Sequence, residues 1–219
     1  MHQQGESGPL RVTTASWRRV GLAALGAVVV VGTVLASAPD PAPASVTFAA
    51  VGDSITKANS ADLAGLRVGD ASWVYFTAGS GCRFVGGWAR NGAPTSTMVR
   101  NAAPVRADVL VVIAGTNDIA HGVPFATIAR NLAAIVRKVG AGRVIISAIP
   151  PRDATPAVTV EFNRLLERFV KAEGWTFVDA MVGVRDGTRY AAGMTADGTH
   201  PNARGARVIG EALAEAIAH

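Results

Sequence analysis

Cysteine is almost missing from this 219-residue chain: Cys82 is the only one. No intramolecular disulfide can form, and CxxC redox motifs and thiolate zinc clusters are excluded. Cys82 lies in the Gly-rich stretch GSGCRF, where nothing in the sequence would activate it, and reads as a structural thiol. No HExxH motif and no clustered His/Asp ligand set occurs, so no metal is expected. Charge is also sparse, at 17% of residues against 49% hydrophobic. The Lys and Arg residues form no basic stripe interleaved with aromatics, and nucleic acid is not an expected partner. There is no internal repeat and no long apolar insertion that would suggest a lid. The composition fits one compact domain with a full core, plus something extra.

The extra part is at the N-terminus. Arg11, Arg18 and Arg19 face only Glu6 there, leaving 18 basic and 15 acidic residues beyond Ala38. Val20–Ala38 then runs without a charge. At roughly 1.5 Å per helical residue it approaches the ~30 Å hydrocarbon core of a bilayer. Arginines before it and none after it until Arg67 put the tail in the cytoplasm and the remainder outside. Two fates are open. One is cleavage as a secretory signal, at small-residue sites such as Ala36-Ser37-Ala38 or Ala42-Pro43-Ala44; the other is retention as a single-span anchor. The run exceeds a typical signal core, and Pro39 hinders cleavage after Ala38. The expected organisation is a tail over 1–19, a membrane or signal segment over 20–38, a stiff Pro-rich linker over 39–45 and a globular domain over 46–219.

Within the domain, Val46–Val51 is a short buried strand by composition, and Phe84–Trp88 a second. Asp108–Ala114, DVLVVIA, is the clearest central strand. Arg143–Ala148 and Trp175–Val178 are further strands. Ile128, Leu132, Ile135, Val136 and Val139 fall on one face of a helix stopped by Gly140 and Gly142. A second helix carries Val158, Phe162, Leu165, Leu166 and Phe169 inward and ends at Gly174. A third, capped by Asn202, carries Val208, Ile209, Ala212, Leu213, Ala216 and Ile217. The segment Arg90–Thr97 reads as a turn leading into a helix capped by Thr or Ser. Lys57–Gly69 reads as loop with some helix, and Trp73–Phe76 fits either helix or strand. Strands alternating with helices predict a parallel sheet with right-handed crossovers and helices on both faces.

In such sheets ligands bind past the C-terminal ends of the strands. Gly52-Asp53-Ser54 lies there, which makes Ser54 a candidate nucleophile. His200 is the candidate base. It sits in Ala196-Asp197-Gly198-Thr199-His200-Pro201, where Asp197 is spaced to fold back and fix the imidazole. His121 lies in a polar loop and reads as solvated. Acyl transfer also needs donors where negative charge develops. Asn117, following the central strand, and Gly92, in the turn after the second, are candidates. Each has an ordinary turn role as its alternative. Asp53 and Asp118 read as loop braces bonded to backbone N–H groups. Trp88 and Met194 are candidates for a pocket wall or for the core.

The blocks Gly52-Asp53-Ser54-Ile55-Thr56, Asn91-Gly92-Ala93-Pro94-Thr95, Gly115-Thr116-Asn117-Asp118 and Asp197-Gly198-Thr199-His200-Pro201 together resemble the SGNH/GDSL family of serine hydrolases, over about Val46–Ala218. The departure is Pro94, where that family more often has glycine, which makes the block around Gly92 the loosest match. The resemblance implies a flavodoxin-like three-layer α/β/α sandwich with a central parallel sheet. It implies a catalytic Ser54, Asp197 and His200, and an oxyanion hole from the N–H groups of Ser54 and Gly92 and the side chain of Asn117. It implies no metal and no cofactor, and a nucleophile outside any GxSxG elbow, a motif absent here. The expected activity is extracytoplasmic hydrolysis of a small-molecule or glycan ester. Acyl transfer to or from an envelope glycan, or a membrane-tethered binding module without activity, are the alternatives.

Overall fold

The computed structural model describes residues 45–219; the tail, the apolar run and nearly all of the linker lie outside the described residues. Five parallel strands form the centre: β1 (Thr47–Gly52), β2 (Arg83–Ala89), β3 (Val109–Ile113), β4 (Arg143–Ser147) and β5 (Thr176–Val178). Their order is β2-β1-β3-β4-β5, so DVLVVIA supplies the middle strand as its composition demands. Every residue of β3 is buried, as is all of β1 after Thr47. Each fully buried Val, Leu or Ile is worth roughly 1.5–3 kcal/mol in apolar transfer. That explains why near-continuous aliphatic runs are confined to strands covered on both faces.

The helices are α1 (Ser54–Lys57), α2 (Trp73–Gly79), α3 (Thr95–Asn101), α4 (Thr116–Ala120), α5 (Phe125–Val139), α6 (Pro156–Ala172) and α7 (Ala203–Ala218). α2 packs on α7 as one layer, and α3, α5 and α6 form the other. The α5 stripe is Ile128, Leu132, Ile135 and Val139, with Gly140 closing the helix in the left-handed conformation. In α7, Asn202 caps by accepting from the Gly205 N–H at 3.0 Å.

Two local expectations change, one open reading is resolved and one element is new. Trp73–Phe76 is helical because Ser72 caps Val74 at 3.2 Å, and Trp73 Nε1 donates to Thr56 Oγ1 at 3.1 Å. α3 is not capped by Thr or Ser. Pro94 stands at its N-cap, and the carboxylate of Asp118, from α4, accepts the Thr95 N–H at 2.9 Å instead. Val158, read as inward, is half exposed, because the first turn of α6 faces an open groove shared with Ile119 and Phe125. Finally, a short hairpin, β6 (Arg185–Asp186) with β7 (Arg189–Tyr190), lies between β5 and the His200 loop. Its two-residue strands are too short to show a period.

No helix among the described residues is long and apolar enough to cross a membrane.

Candidate active site

β1 ends where its neighbours end: Val51 pairs with Val112 and Trp88, and Gly52 with Ile113. The chain then turns at once into α1. Gly52 is required at this bend, because a Cβ there would stand 2.0 Å from Thr56 Oγ1 and 2.8 Å from the Ile113 carbonyl. Asp53 is the N-cap of α1 and accepts the Ile55 N–H at 3.0 Å. Ser54 is thus the first residue of a helix, half-buried, with a first-turn N–H that has no intrahelical acceptor. Thr56 locks the turn from behind by accepting from Ser72 through its carbonyl at 2.7 Å and from Trp73 through its hydroxyl. The turn closes at Ala58, a non-glycine residue held at φ 43°.

The His200 loop is built from local bonds. Asp197 Oδ1 accepts the N–H groups of Thr199 at 2.9 Å and His200 at 2.7 Å. Asp197 Oδ2 meets His200 Nδ1 at 2.7 Å, and His200 Nε2 meets Ser54 Oγ at 2.9 Å. Burial opposes the charge on Asp197, but the bonds from the His200 N–H, the imidazole and the Thr199 N–H outweigh it. Its carboxyl is held well below the usual carboxylate range. An ionised Asp197 can only accept, so Nδ1 carries the proton, Nε2 presents its lone pair, and Ser54 Oγ donates to it. Thr195 Oγ1 donates to the His200 carbonyl at 2.7 Å, and an isolated bridge joins Thr195 to Pro201.

The loop is also tied down from outside. Tyr190 Oη donates to the Thr199 carbonyl at 3.1 Å, and burial raises that hydroxyl's pKa, which keeps it a donor. The Asp153 N–H donates to the Gly198 carbonyl at 2.8 Å, and the Asp153 carboxylate accepts the Tyr190 N–H at 2.9 Å. These braces escape sequence reasoning, because the hairpin that makes them carries no motif.

Asn117 stands in the first turn of α4, beyond Gly115. Gly115 has φ 124°, and a Cβ on it would lie 2.3 Å from Phe162 Cζ, so only glycine lets α6 pack against this turn. The Asn117 amide donates to Asp53 Oδ2 and to the Ala93 carbonyl, both at 3.2 Å. Asn117 is therefore joined to the Ser54 turn through Asp53. Gly92 lies in the turn closed by the Ala93 N–H on the Arg90 carbonyl, with φ 69°, and its neighbour Asn91 reaches the cavity beside Ser54. Asp118 is buried and accepts from Thr95 Oγ1 at 2.6 Å as well as from the Thr95 N–H. The bracing roles of Asp53 and Asp118 are both present. His121 is exposed, as its loop suggested.

Asp53 is completely buried, and its pKa is raised to about 7. Burial is the main cause, opposed by the Ile55 N–H and by His200, and reinforced by Asp118. The folded state therefore keeps a proton on Asp53 that the unfolded chain releases near 3.8. Between those values the folded state binds more protons, so this group lowers stability as pH rises. Asp53→Asn removes the titration. The stability gap between variant and wild type should widen in the variant's favour from pH 5 to pH 8, by up to about 3 kcal/mol. Denaturant midpoints at the two pH values measure it, and a gap independent of pH would show that Asp53 titrates normally.

Ser54 and His200 open onto a cavity of about 290 Å³ completed by Ile55, Ala58, Asn59, Ala71, Asn91 and Pro201. Asn59 is fixed in it: its Nδ2 donates to Asp70 at 2.7 Å and its Oδ1 accepts the Ala71 N–H at 3.0 Å. Neither Trp88 nor Met194 lines this cavity. Trp88 lies beneath the Arg90 guanidinium, 5.9 Å from its ring centre, and Met194 is buried in the core. Cys82 is buried, with its Sγ 3.8 Å from the Ala214 carbonyl. Among the described residues, no three His, Cys, Asp or Glu side chains are grouped to hold a metal ion.

A parallel α/β/α sandwich with serine, histidine and aspartate hydrogen-bonded in series at its C-terminal edge is the framework of a serine hydrolase. The chain belongs to the GDSL-like lipase/acylhydrolase family, whose model matches residues 50–208, and it is an ester hydrolase of that family. No curated protein matches it. Among solved structures it is similar to a member of the lipolytic protein G-D-S-L family from Veillonella parvula, at 20% identity and TM-score 0.60, covering 78% of this chain and 97% of that one. It is also similar to an acetylxylan esterase from Geobacillus stearothermophilus, at 15% identity and TM-score 0.62, covering 80% and 94%. That esterase was solved as catalytic mutants of a serine, an aspartate and a histidine, the last two three positions apart. At these identities the likeness to solved structures is one of fold.

Proposed function

We propose that the protein hydrolyses carboxylic esters through an acyl-enzyme on Ser54. The observation that carries this reading is the series of bonds from Ser54 Oγ to His200 Nε2 at 2.9 Å and from His200 Nδ1 to Asp197 at 2.7 Å. Ser54 Oγ attacks the ester carbonyl while His200 Nε2 takes its proton. The imidazolium, stabilised by Asp197, returns that proton to the leaving alcohol. Water then attacks the acyl-enzyme with His200 as base, releasing the acid and restoring Ser54. The Geobacillus esterase supports these roles, since its catalytic aspartate and histidine have the spacing of Asp197 and His200.

The developing oxyanion is received by the Ser54 N–H, the Gly92 N–H and the Asn117 amide. Asn117 enters this role by exchanging its long bond to the Ala93 carbonyl for a stronger one to a charged oxygen, while Asp53 keeps the other amide hydrogen. Asn117→Ala should lower kcat by on the order of 10²–10³ and leave KM nearly unchanged. An unaltered kcat would remove Asn117 from the oxyanion hole.

A small acyl group on a polar, glycan-type alcohol suits the site best. The cavity beside Ser54 is small, two asparagines line it, and the side chains of His200 and Asp197 are 46% and 53% exposed. That exposure favours water over a sugar hydroxyl as acyl acceptor. A panel of esters graded by acyl length, followed by acetylated oligosaccharides, tests the preference. A rate that rises with chain length would refute it. Fluorophosphonate labelling of wild type but not of Ser54→Ala would exclude a binding module without activity. The domain acts outside the cytoplasm, behind Val20–Ala38 as an anchor or a signal; the Arg residues before that run support this placement.

A further inference from the structure

The two ends of the sheet differ in charge. Around the C-terminal ends of the strands the charges are mixed: Asp153, Asp179 and Asp197 stand with Arg90, Arg185 and Arg189, and Arg185 pairs with Asp179. At the N-terminal ends lies a broad concavity whose charged lining is Arg83, Arg106, Arg137, Lys138 and a single carboxylate, Asp108. That carboxylate is already engaged, by the Thr47 N–H at 2.8 Å and the Thr47 hydroxyl at 2.7 Å. Lys138 donates to the Val99 carbonyl, but no ion pair among the described residues uses Arg83, Arg106 or Arg137. Basic residues in the last turn of a helix complement its dipole, which accounts for part of Arg137 and Lys138. Arg83 at the start of β2 is attracted to Asp108 without pairing to it, and Arg106 in a loop has no such partner.

Ser45, the first described residue, lines the same concavity. Behind it the chain runs through six residues to the apolar run that ends at Ala38. At the polyproline II rise, the steps from Ala38 to Ser45 span about 22 Å. The basic edge is therefore the edge leashed closest to whatever holds the apolar run. The tail before the run is itself basic, so it is no partner for this surface.

We propose that the N-terminal edge of the sheet, through Arg83, Arg106 and Arg137, docks on an anionic phospholipid surface and holds the Ser54 site facing away from it. The inference rests on reading Val20–Ala38 as a retained anchor. Each Lys or Arg brought to such a surface strengthens attachment by about fivefold. The tether makes the encounter intramolecular, so a modest attraction suffices to orient the domain. The strands separate the two edges by roughly 17 Å.

The test uses the full chain in nanodiscs of phosphatidylcholine alone or mixed with phosphatidylglycerol, with an energy-acceptor dye on the lipid headgroups. A donor dye is placed on Ala103→Cys, at the basic edge, or on Ala120→Cys, at the opposite edge. Both positions are exposed, and the native Cys82 is buried. With phosphatidylglycerol, transfer from position 103 should exceed that from position 120. The excess should vanish in phosphatidylcholine alone. It should also vanish in 1 M salt, where the Debye length falls from roughly 10 Å at 0.1 M to roughly 3 Å. Arg83→Gln/Arg106→Gln/Arg137→Gln should abolish it while hydrolysing a soluble ester at the wild-type rate. Equal transfer from both positions, or an excess indifferent to lipid charge and salt, would overturn the proposal. If the full chain washes off phosphatidylcholine vesicles in 1 M salt, the anchor reading fails by itself. The edge is then judged by flotation at 0.1 M salt, where wild-type binding to phosphatidylglycerol vesicles that the triple variant loses sustains docking and absence of binding refutes it.

Discussion

Ser54→Ala should abolish turnover of p-nitrophenyl acetate, with a fall in kcat on the order of 10⁵–10⁶. The substitution removes one oxygen from a half-buried position and leaves the Ser54 N–H, the cavity and the Asp53 cap in place. Stability should therefore change by less than about 1 kcal/mol, since the hydroxyl's one bond, to His200, is exposed to solvent. What survives is the catalysis that donors and proximity supply without a nucleophile, a residual well above the rate in water. Steady-state rates and a melting curve on the same preparation separate lost chemistry from lost fold. A wild-type rate no greater than that of the variant would end the acyl-enzyme reading.

Asp197→Asn should be nearly as damaging, with kcat falling on the order of 10⁴. The two oxygens of Asp197 do different things. Oδ1 holds the loop by accepting the Thr199 and His200 N–H groups, and Oδ2 receives the proton-bearing Nδ1. Asparagine can keep the first role with its carbonyl. It must then offer an N–H to Nδ1, which moves the imidazole proton to Nε2. Nε2–H cannot accept from Ser54 Oγ, so the base is lost while the loop stays bonded. Asp197→Ala loses both roles and should also lower the melting temperature, so comparing the two variants isolates the tautomer effect. Because the Asp197 carboxyl is depressed when folded, the stability it lends is present above its unfolded pKa and is lost as pH falls through the folded one. Its own protonation does not limit activity at mildly acid pH. A small kcat effect for Asp197→Asn would mean that the imidazole is oriented by other contacts.

How far the sequence could be read depended on how local each cause was. β3 was legible from its continuous β-branched run and α5 from its helical apolar period. The meeting of Ser54, His200 and Asp197 was legible because a strand end and a DxxH loop bring those residue types to one edge of the sheet. The cap of α3 was not, because its acceptor, Asp118, is 23 residues away and reaches Thr95 only once the sheet has formed. Trp73–Phe76 stayed ambiguous because four apolar residues fit both periods; its helix is settled by Ser72 and by Thr56 from the Ser54 turn. Asn117 could be named, but its ties to Asp53 and Ala93 could not, nor could the proton that burial retains on Asp53. Those depend on which strand lies next to which.

The site also joins two parts of unequal stiffness. Ser54 is mounted on the end of a strand buried throughout after Thr47, so displacing it means disturbing the centre of the sheet. His200 and Asp197 ride together on one short surface loop, fastened from outside chiefly through Tyr190 and Asp153. Because the base and the orienting acid we propose share that loop, a single opening there would carry both away from the serine at once. Loss of the catalytic state is thus separable from loss of the fold. The free energy that keeps the enzyme competent is that of a few hydrogen bonds at the rim, and it can be tuned by changing the hairpin without altering any residue that touches the ester.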